Sequence, residues 1–309
     1  MQLQPRRYRT ITIGALIALC IIIVTGAAVR LTGSGLGCDS WPSCNETRFV
    51  DVSDTHTAIE QLNRLFTGVI VVLVAAAVLG SLIRAPRRRD LTWLSLGLVA
   101  GVFGQAVVGG IVVLTELHPL AVQQHFLLSM VTVVNGTVLV RRAGEPDGVR
   151  RQRVVRPVTR RLVWLLAIAT SVAIVTGTLV TGTGPHAGDE NARRFGFDIS
   201  DVARVHGVAV IIAIATALAI VAWIHRHPGD RAALWQPLTT WMFVAVLQAV
   251  VGYVQYFNGV PELLVAIHIA GATLLFFTTV YVVLAITRPV RAAERASQRS
   301  ATPVDHELV

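Results

Sequence analysis

Long uncharged apolar runs are the feature that most restricts how this chain can fold. Six of them reach or exceed the ~18 residues that a helix needs to cross a bilayer, and two more are long enough but carry polar or proline residues near one end. The composition agrees: 53% of the residues are hydrophobic and only 15% are charged, whereas soluble domains carry about 25% charged residues. The sequence therefore predicts an all-α membrane protein with eight transmembrane helices, at residues 11–29, 65–83, 91–115, 117–140, 162–185, 207–224, 232–261 and 263–287.

The placement of arginine predicts the orientation of these helices. All 27 basic residues are arginines, and all but six lie in the two tails and in the connections at 84–89, 141–161 and 226–231. Arginine-rich loops stay on the cytoplasmic side of a membrane, so we expect both termini there. The net charge of +9 then reflects this topology and contact with anionic lipid headgroups, and it gives no support to a nucleic-acid partner.

The chain also contains an internal duplication. The sequence QAVVG at 105–109 recurs at 248–252, and at the same offset of 143 residues His125 matches His268 and Asn63 matches His206. The end of the first helix repeats as well, with VTG and TGSG in one half against VTG and TGTG in the other. Each repeat holds an even number of spans, so the two share an orientation and are related by an axis along the membrane normal.

This duplication predicts two pseudo-symmetric four-helix bundles. They cover residues 1–142 and 157–290 and are joined by an arginine-rich cytoplasmic linker at 143–156. A cytoplasmic tail follows at 291–309, which we expect to be disordered. The first outer loop holds Cys38 and Cys44, and because that side of the membrane is oxidising we expect a disulfide between them.

Histidines inside the predicted spans are candidates for function, because ionisable groups are costly in a bilayer. His125 and His268 lie about six residues into helices 4 and 8, and His206 lies at the outer end of helix 6. Two histidines on facing helices of a four-helix bundle commonly hold a b-type haem. We therefore predict that His206 and His268 ligate haem iron; two separate, hydrogen-bonded histidines are the alternative.

The first half differs from the second at two matched positions. Asn63, a poor iron ligand, replaces the histidine, and Glu60 stands one turn before it where the second half has Ala203. A carboxylate in only one of two related pockets suggests that this pocket performs chemistry while the other holds a fixed cofactor. The alternative is that Glu60 only pairs with Arg64 four residues later.

Other polar residues near the outer ends of the spans leave more alternatives open. His56 could face the same pocket as Asn63, and His118 and His186 could touch a haem propionate or be solvated. Three arginines at the same ends could bind propionates or extend to lipid phosphates; these are Arg30, Arg64 and Arg204.

Four stretches resemble the haem A synthases, over both halves and nearly the whole chain. VTGAAVRLTGSGLGCDSWPSC at 24–44 is similar to the first helix and outer loop of that family, and EQLNR at 60–64 resembles its Glu-x-x-His-Arg motif. TGTGPHAGD at 181–189 and RVHG at 204–207 also fit. Asn63 departs from the family pattern, which has a second histidine there.

The resemblance implies an oxidoreductase of a bacterial cell membrane that oxidises the C8 methyl of haem O to a formyl group by successive hydroxylations, for cytochrome c oxidase assembly. It implies a haem b cofactor on His206 and His268, haem O as the substrate with its iron on His125, and Glu60 as the catalytic carboxylate. The implied partners are haem O synthase (protohaem farnesyltransferase), oxidase assembly factors, an electron acceptor that the sequence does not name and a second copy of the chain. The haem sites would face outward.

Two other classes of protein remain as rival interpretations. A di-haem b-type electron-transfer cytochrome would need the same histidines, but it has no use for a carboxylate such as Glu60 in one half only. A haem transporter could use a duplicated bundle, although a fixed haem on two histidines suits it poorly.

Overall fold

The structure, a computed structural model, describes residues 2–290; the tail predicted to be disordered at 291–309 lies outside the described residues. Within 2–290 the chain forms eight helices, each long and apolar enough to cross a membrane, and two short strands. The helices are α1 (Pro5–Leu31), α2 (Thr55–Ile83), α3 (Arg89–Leu114), α4 (Pro119–Ala143), α5 (Pro157–Thr183), α6 (Ile199–His225), α7 (Pro228–Phe257) and α8 (Glu262–Leu284), and the strands are β1 (Arg150–Arg153) and β2 (Thr287–Val290).

Helices α2 and α6 begin about three and about two turns, respectively, before the apolar runs that predicted them. Asp54 caps α2 by accepting hydrogen bonds from two backbone amides of its first turn, and Asp198 caps α6 with one such bond. Side-chain and backbone hydrogen bonds within these caps lower the pKa of both aspartates. As a consequence, Glu60 lies within a helix, and His206, expected at the outer end of its helix, lies two turns inside it.

The helices pack as two rings of four. In the N-half (α1–α4) each helix contacts the next and α1 contacts α4; in the C-half (α5–α8) the same contacts recur, with α5 against α8. The halves meet where α8 contacts α1 and α4 and where α4 contacts α5. This recurrence supports the predicted duplication, which stays a prediction.

Successive helices run in opposite directions, which gives the molecule two ends. The loop side carries the α1–α2, α3–α4, α5–α6 and α7–α8 connections, and the terminal side carries the other connections and the strands. Each half has its own cluster of buried apolar side chains, mostly near the terminal side: Tyr8, Leu91 and Leu139 belong to one, and Val163, Ile224 and Leu234 to the other. The predicted histidine ligands lie nearer the loop side.

The outer surface of the helices is strongly apolar. Leu62, Phe103 and Phe243 are 63%, 71% and 65% exposed, and many other aliphatic and aromatic side chains are exposed around them. A soluble monomer rarely exposes so large an apolar surface, whereas a bilayer covers it. The prediction of a multi-pass, all-helical membrane protein is confirmed.

On the terminal side the segment between the halves is folded onto the helix ends. Strand β1 pairs antiparallel with β2, so that Arg150 faces Val290. The same segment forms ion pairs, of which the most buried joins Arg84, at the end of α2, to Asp147 at 2.9 Å. The sequence predicted a cytoplasmic linker here but not this strand pair.

Candidate functional site

Each of the three histidine rings predicted to bind iron packs against a glycine of a neighbouring helix. A Cβ atom built on any of these glycines would lie 3.2 Å from the Cε1 atom of the ring, closer than ordinary van der Waals contact. A larger residue would therefore push the ring aside, so glycine lets each ring lie against helix backbone. The pairs are Gly109 with His125, Gly252 with His268 and Gly177 with His206.

In the C-half, His206 and His268 face each other across the bundle. Their ring centres are 6.4 Å apart and their planes are nearly perpendicular, at 83°. Two metal–nitrogen bonds of about 2 Å, with roughly 1 Å more from each nitrogen to its ring centre, would place two trans imidazoles about 6 Å apart. The pair thus has the separation that two ligands on opposite faces of one metal ion require.

The hydrogen bonds of the two rings also suit a metal. Nδ1 of His206 lies 3.0 Å from the carbonyl oxygen of Ala173 and 3.3 Å from Thr176 Oγ1, which leaves Nε2 free. Nδ1 of His268 is buried with no hydrogen-bond partner among the described residues. No hydrogen bond of His268 Nε2 to a described residue is formed either, so this nitrogen, like Nε2 of His206, is free to ligate a metal.

No group of three or more His, Cys, Asp or Glu side chains within residues 2–290 is arranged to hold a metal ion. A lone pair of histidines is a poor site for a bare cation, which needs four or more ligands. A haem supplies four nitrogens of its own and takes protein ligands only above and below its plane. The residues of the C-half therefore fit a haem.

The matching pocket of the N-half has one histidine only. Nδ1 of His125 is buried without a hydrogen-bond partner among the described residues, as in His268, and Asn63 occupies the α2 position that matches His206 in the sequence. Thr25 donates a 2.7 Å hydrogen bond to Asn63 Oδ1, in the way that Thr176 contacts His206 in the C-half. The asparagine amide is thus held at the ligand position by the same helix contact but offers no imidazole nitrogen.

A glutamine holds helix α3 to α4 and helix α7 to α8 in the same way. Gln105 Nε2 donates to the carbonyl oxygen of His125 at 3.2 Å, and Gln248 Nε2 donates to that of His268 at 2.9 Å. The repeated QAVVG sequence therefore supplies both the glycine under each ring and the bond that fixes the histidine backbone.

Glu60 is almost fully buried, at 5% exposure, near the loop side of the N-half. Its Oε1 accepts hydrogen bonds from Arg64 Nη2 at 2.6 Å and Nε at 3.0 Å, and its Oε2 accepts one from the backbone amide of Cys38 at 2.8 Å. The pair with Arg64 considered as an alternative is formed. It does not exhaust the carboxylate, because each oxygen has two lone pairs and Oε2 is not bonded to the arginine.

The first loop is closed by the predicted disulfide between Cys38 and Cys44, whose Cα atoms are 4.5 Å apart. Arg64 Nη1 donates to the carbonyl oxygens of Ser40 and Ser43 inside this ring, at 3.1 and 3.3 Å. The Trp41 ring lies against Gly110, where a Cβ atom would come within 2.8 Å of it. The loop therefore lies across the loop-side ends of α2 and α3, in contact with Glu60.

Comparison with known proteins assigns the family. A family profile described as cytochrome oxidase assembly protein matches residues 9–61 and 49–187. The chain belongs to this family. Similar relatives are the haem A synthases of Listeria welshimeri, 28% identical over 88% of this chain and 93% of the relative, and of Staphylococcus epidermidis, 24% identical over 90% and 95%. The resemblance to haem A synthases is confirmed.

In this family member the remaining candidates have other contacts. His56 Nδ1 lies 3.0 Å from Ser34 Oγ, and His186 Nε2 lies 2.7 Å from the carbonyl oxygen of Val260. His118 forms no side-chain cap at the start of α4. Arg204 forms an exposed ion pair with Asp201. Arg30 donates hydrogen bonds across the interface between the halves, to backbone carbonyl oxygens at the end of α5 and in the loop after it.

Sequence reasoning did not find the threonines that contact the ligand positions. Thr25 and Thr176 stand at matched places in the repeated VTG sequence, so the duplication itself carried the signal. Nor did it find Thr183 and Gln255, whose buried polar atoms lack partners. A single threonine or glutamine near a helix end is too common to mark a site.

Proposed function

We propose that this protein is a haem A synthase that oxidises the C8 methyl group of haem O to a formyl group. Its family and its relatives give it a role in haem A biosynthesis for cytochrome oxidase assembly. The observation that carries the finer proposal is the asymmetry of the two pockets. The C-half has two facing histidines, whereas the N-half has His125, an amide at position 63 and the buried carboxylate of Glu60.

In this proposal His206 and His268 hold a haem b. When bound, that haem supplies one-electron redox chemistry beside the substrate pocket. The chain's contribution is to fix both ligands: Ala173 accepts the hydrogen bond that orients His206, and Gln248 fixes the backbone of His268. The glycine behind each ring lets the ring lie back against the helix, which leaves space between the two rings.

The N-half receives haem O as the substrate. His125 binds it from one side, and because Asn63 offers no imidazole the opposite side stays free for reaction. The methyl group is hydroxylated twice, from CH₃ to CH₂OH to CH(OH)₂. With water as the oxygen source, each hydroxylation consumes one water and releases two protons and two electrons, and the electrons pass to an external acceptor. The diol then loses one water to give the formyl group. Glu60 accepts and returns the protons of the hydroxyl groups through Oε2, while Arg64 holds Oε1.

Replacing Glu60 tests the catalytic role. Glu60→Gln keeps the shape of the side chain but removes the base, so we expect the variant to bind haem O and form little or no haem A. The measurement is extraction of pigments from cells that also make haem O. Glu46→Gln, at an exposed position of the α1–α2 loop, is the control.

The outcomes separate the rival functions. Haem b alone in cells expressing the wild-type chain would indicate an electron-transfer cytochrome, and the synthase proposal would be wrong. Haem A at the wild-type rate in Glu60→Gln would leave the synthase but remove Glu60 from catalysis.

A further inference from the structure

Within residues 2–290, eight buried side-chain nitrogen and oxygen atoms have no hydrogen-bond partner, and they form two sets. Four of the eight belong to the ion network on the terminal side, in Arg84, Arg142 and Asp147, where two of them lie 2.9 Å apart as an ion pair. The other four are His125 Nδ1, His268 Nδ1, Thr183 Oγ1 and Gln255 Oε1. The unpaired atoms outside the ion network thus include two histidines of the proposed haem pockets and two polar residues of the C-half.

Gln255 lies on the face of α7 that carries the haem pocket. It follows Gln248, which binds the backbone of His268, by seven residues, and Gly252, which packs on the His268 ring, by three. Residues at these spacings share one face of a helix. One further turn places Gln255 about 5 Å nearer the loop side than Gly252.

Thr183 occupies a similar place on α5. It follows Thr176, whose hydroxyl contacts His206 Nδ1, by seven residues, so both lie on one face of the helix. The rise of a helix places it about 10 Å nearer the loop side than Thr176. Two polar groups without partners among the described residues, Thr183 on α5 and Gln255 on α7, therefore lie nearer the loop side than the histidine pair.

The N-half has no such pair. The residue that matches Gln255 is Val112. Thr183 matches Thr32 by the offset that pairs Thr176 with Thr25, and the Thr32 hydroxyl already bonds to the carbonyl oxygen of Ala28 and to Ser34. Among the described residues, an unpaired hydroxyl and an unpaired side-chain amide oxygen are thus found only in the half with the facing histidine pair.

We propose that Thr183 and Gln255 hydrogen-bond the carboxylate edge of the haem held by His206 and His268, and that they keep this haem from exchanging. The inference rests on the proposed function and deepens it. A hydroxyl and an amide can both donate to a carboxylate, since the amide's oxygen and nitrogen exchange places on rotation. Ionised propionates inside a bundle need such donors. At the matched place of the N-half, Val112 has no polar group to bind the carboxylate edge of the substrate haem O. This edge therefore stays free, as is required of a substrate that must exchange.

The test uses full-length protein with His125→Ala, so that haem remains in the C-half alone. Thr183→Val and Gln255→Met, singly and together, remove the donors with little change of volume. Purified protein is mixed with excess apomyoglobin, which captures released haem, and the rate of transfer is followed in the Soret band. We expect the double variant to lose haem at least severalfold faster than the parent. Thr240→Val and Gln236→Leu, at exposed positions of α7, are the controls.

Thr183→Ser and Gln255→Glu keep the test decisive if a variant folds poorly. Serine restores the hydroxyl and should restore slow release, whereas the glutamate, equal in shape to glutamine, should repel the carboxylate and speed release. Unchanged release in all variants would overturn the inference and leave the proposed function intact. A His125→Ala protein that contains no haem would instead contradict the haem b site itself.

Discussion

At position 63 the two pockets differ by a single side chain. Thr25 and Thr176 make the same kind of contact in both halves, and the glycines behind the rings are matched, so an imidazole in place of the Asn63 amide would meet a setting already used by His206. Under the proposed function, the N-half differs from the C-half in lacking the second nitrogen ligand that Asn63 does not supply.

Replacing this asparagine should make the N-half resemble the C-half. We expect Asn63→His to bind haem in the N-half between two histidines, with a six-coordinate low-spin spectrum in place of a five-coordinate one. Optical and electron paramagnetic resonance spectra of the purified protein measure this change. Asn258→His, in the exposed turn after α7, is the control. A spectrum of Asn63→His identical to that of the wild type would contradict the placement of residue 63 at a ligand position.

The sequence predicted the helices and the residues that recur in both halves. It did not predict the helix starts and the strand pair, which depend on capping side chains or on contacts between distant segments. The eight helices followed from apolar runs, and His125, His206 and His268 followed from the duplication. The early starts of α2 and α6 were missed because their first turns are polar and depend on aspartate caps. The strand pair joins segments that lie far apart in the chain, and neither has a strand pattern of its own.

The α5–α6 connection is an element whose position depends on the other half. Arg30, in α1, donates hydrogen bonds of 2.7 Å to the carbonyl oxygens of Thr181 and His186, and Gly35 donates one to Gly188. These bonds hold the loop against the N-half on the loop side.

Loss of this arginine should loosen the contact between the halves. In Arg30→Gln two carbonyl groups lose their partner, at a cost of about 1–3 kcal/mol, because unpaired buried polar groups are unfavourable. Thermal unfolding in detergent should show the loss as a lower midpoint. Arg204→Gln, which breaks an exposed pair with Asp201, should leave the midpoint unchanged. Equal effects of the two changes would show that Arg30 does not join the halves.

At the scale of the whole molecule, the two ends differ in charge and in aromatic residues. Arginines concentrate at the terminal side, and Trp93, Trp164 and Trp235 are exposed near the helix starts on that side, at 72%, 50% and 40%. Tryptophan collects at both membrane surfaces, so these side chains mark the terminal side as one of the two surfaces. Arginine-rich loops stay in the cytoplasm, so the arginines favour our proposal that the terminal side is cytoplasmic and the haem pockets lie toward the outer face.

Reporter fusions test this orientation. Alkaline phosphatase folds only outside the cytoplasm, so fusion after residue 190, in the α5–α6 connection, should give active enzyme, and fusion after residue 147, between α4 and β1, should not. A cytosolic fluorescent reporter at the same two sites should give the opposite pattern. Activity at 147 and none at 190 would reverse the topology.

Helix α8 contacts two helices of its own half and two of the other, and it carries His268. Among the described helices it is the last in chain order, so it is synthesised after the other seven. Until it is inserted, α1 and α4 lack one neighbour and the C-half lacks one of its two proposed iron ligands. Under the proposed function, haem loading therefore follows the synthesis of α8, and a nascent chain that stalls before α8 has neither pocket in its final form.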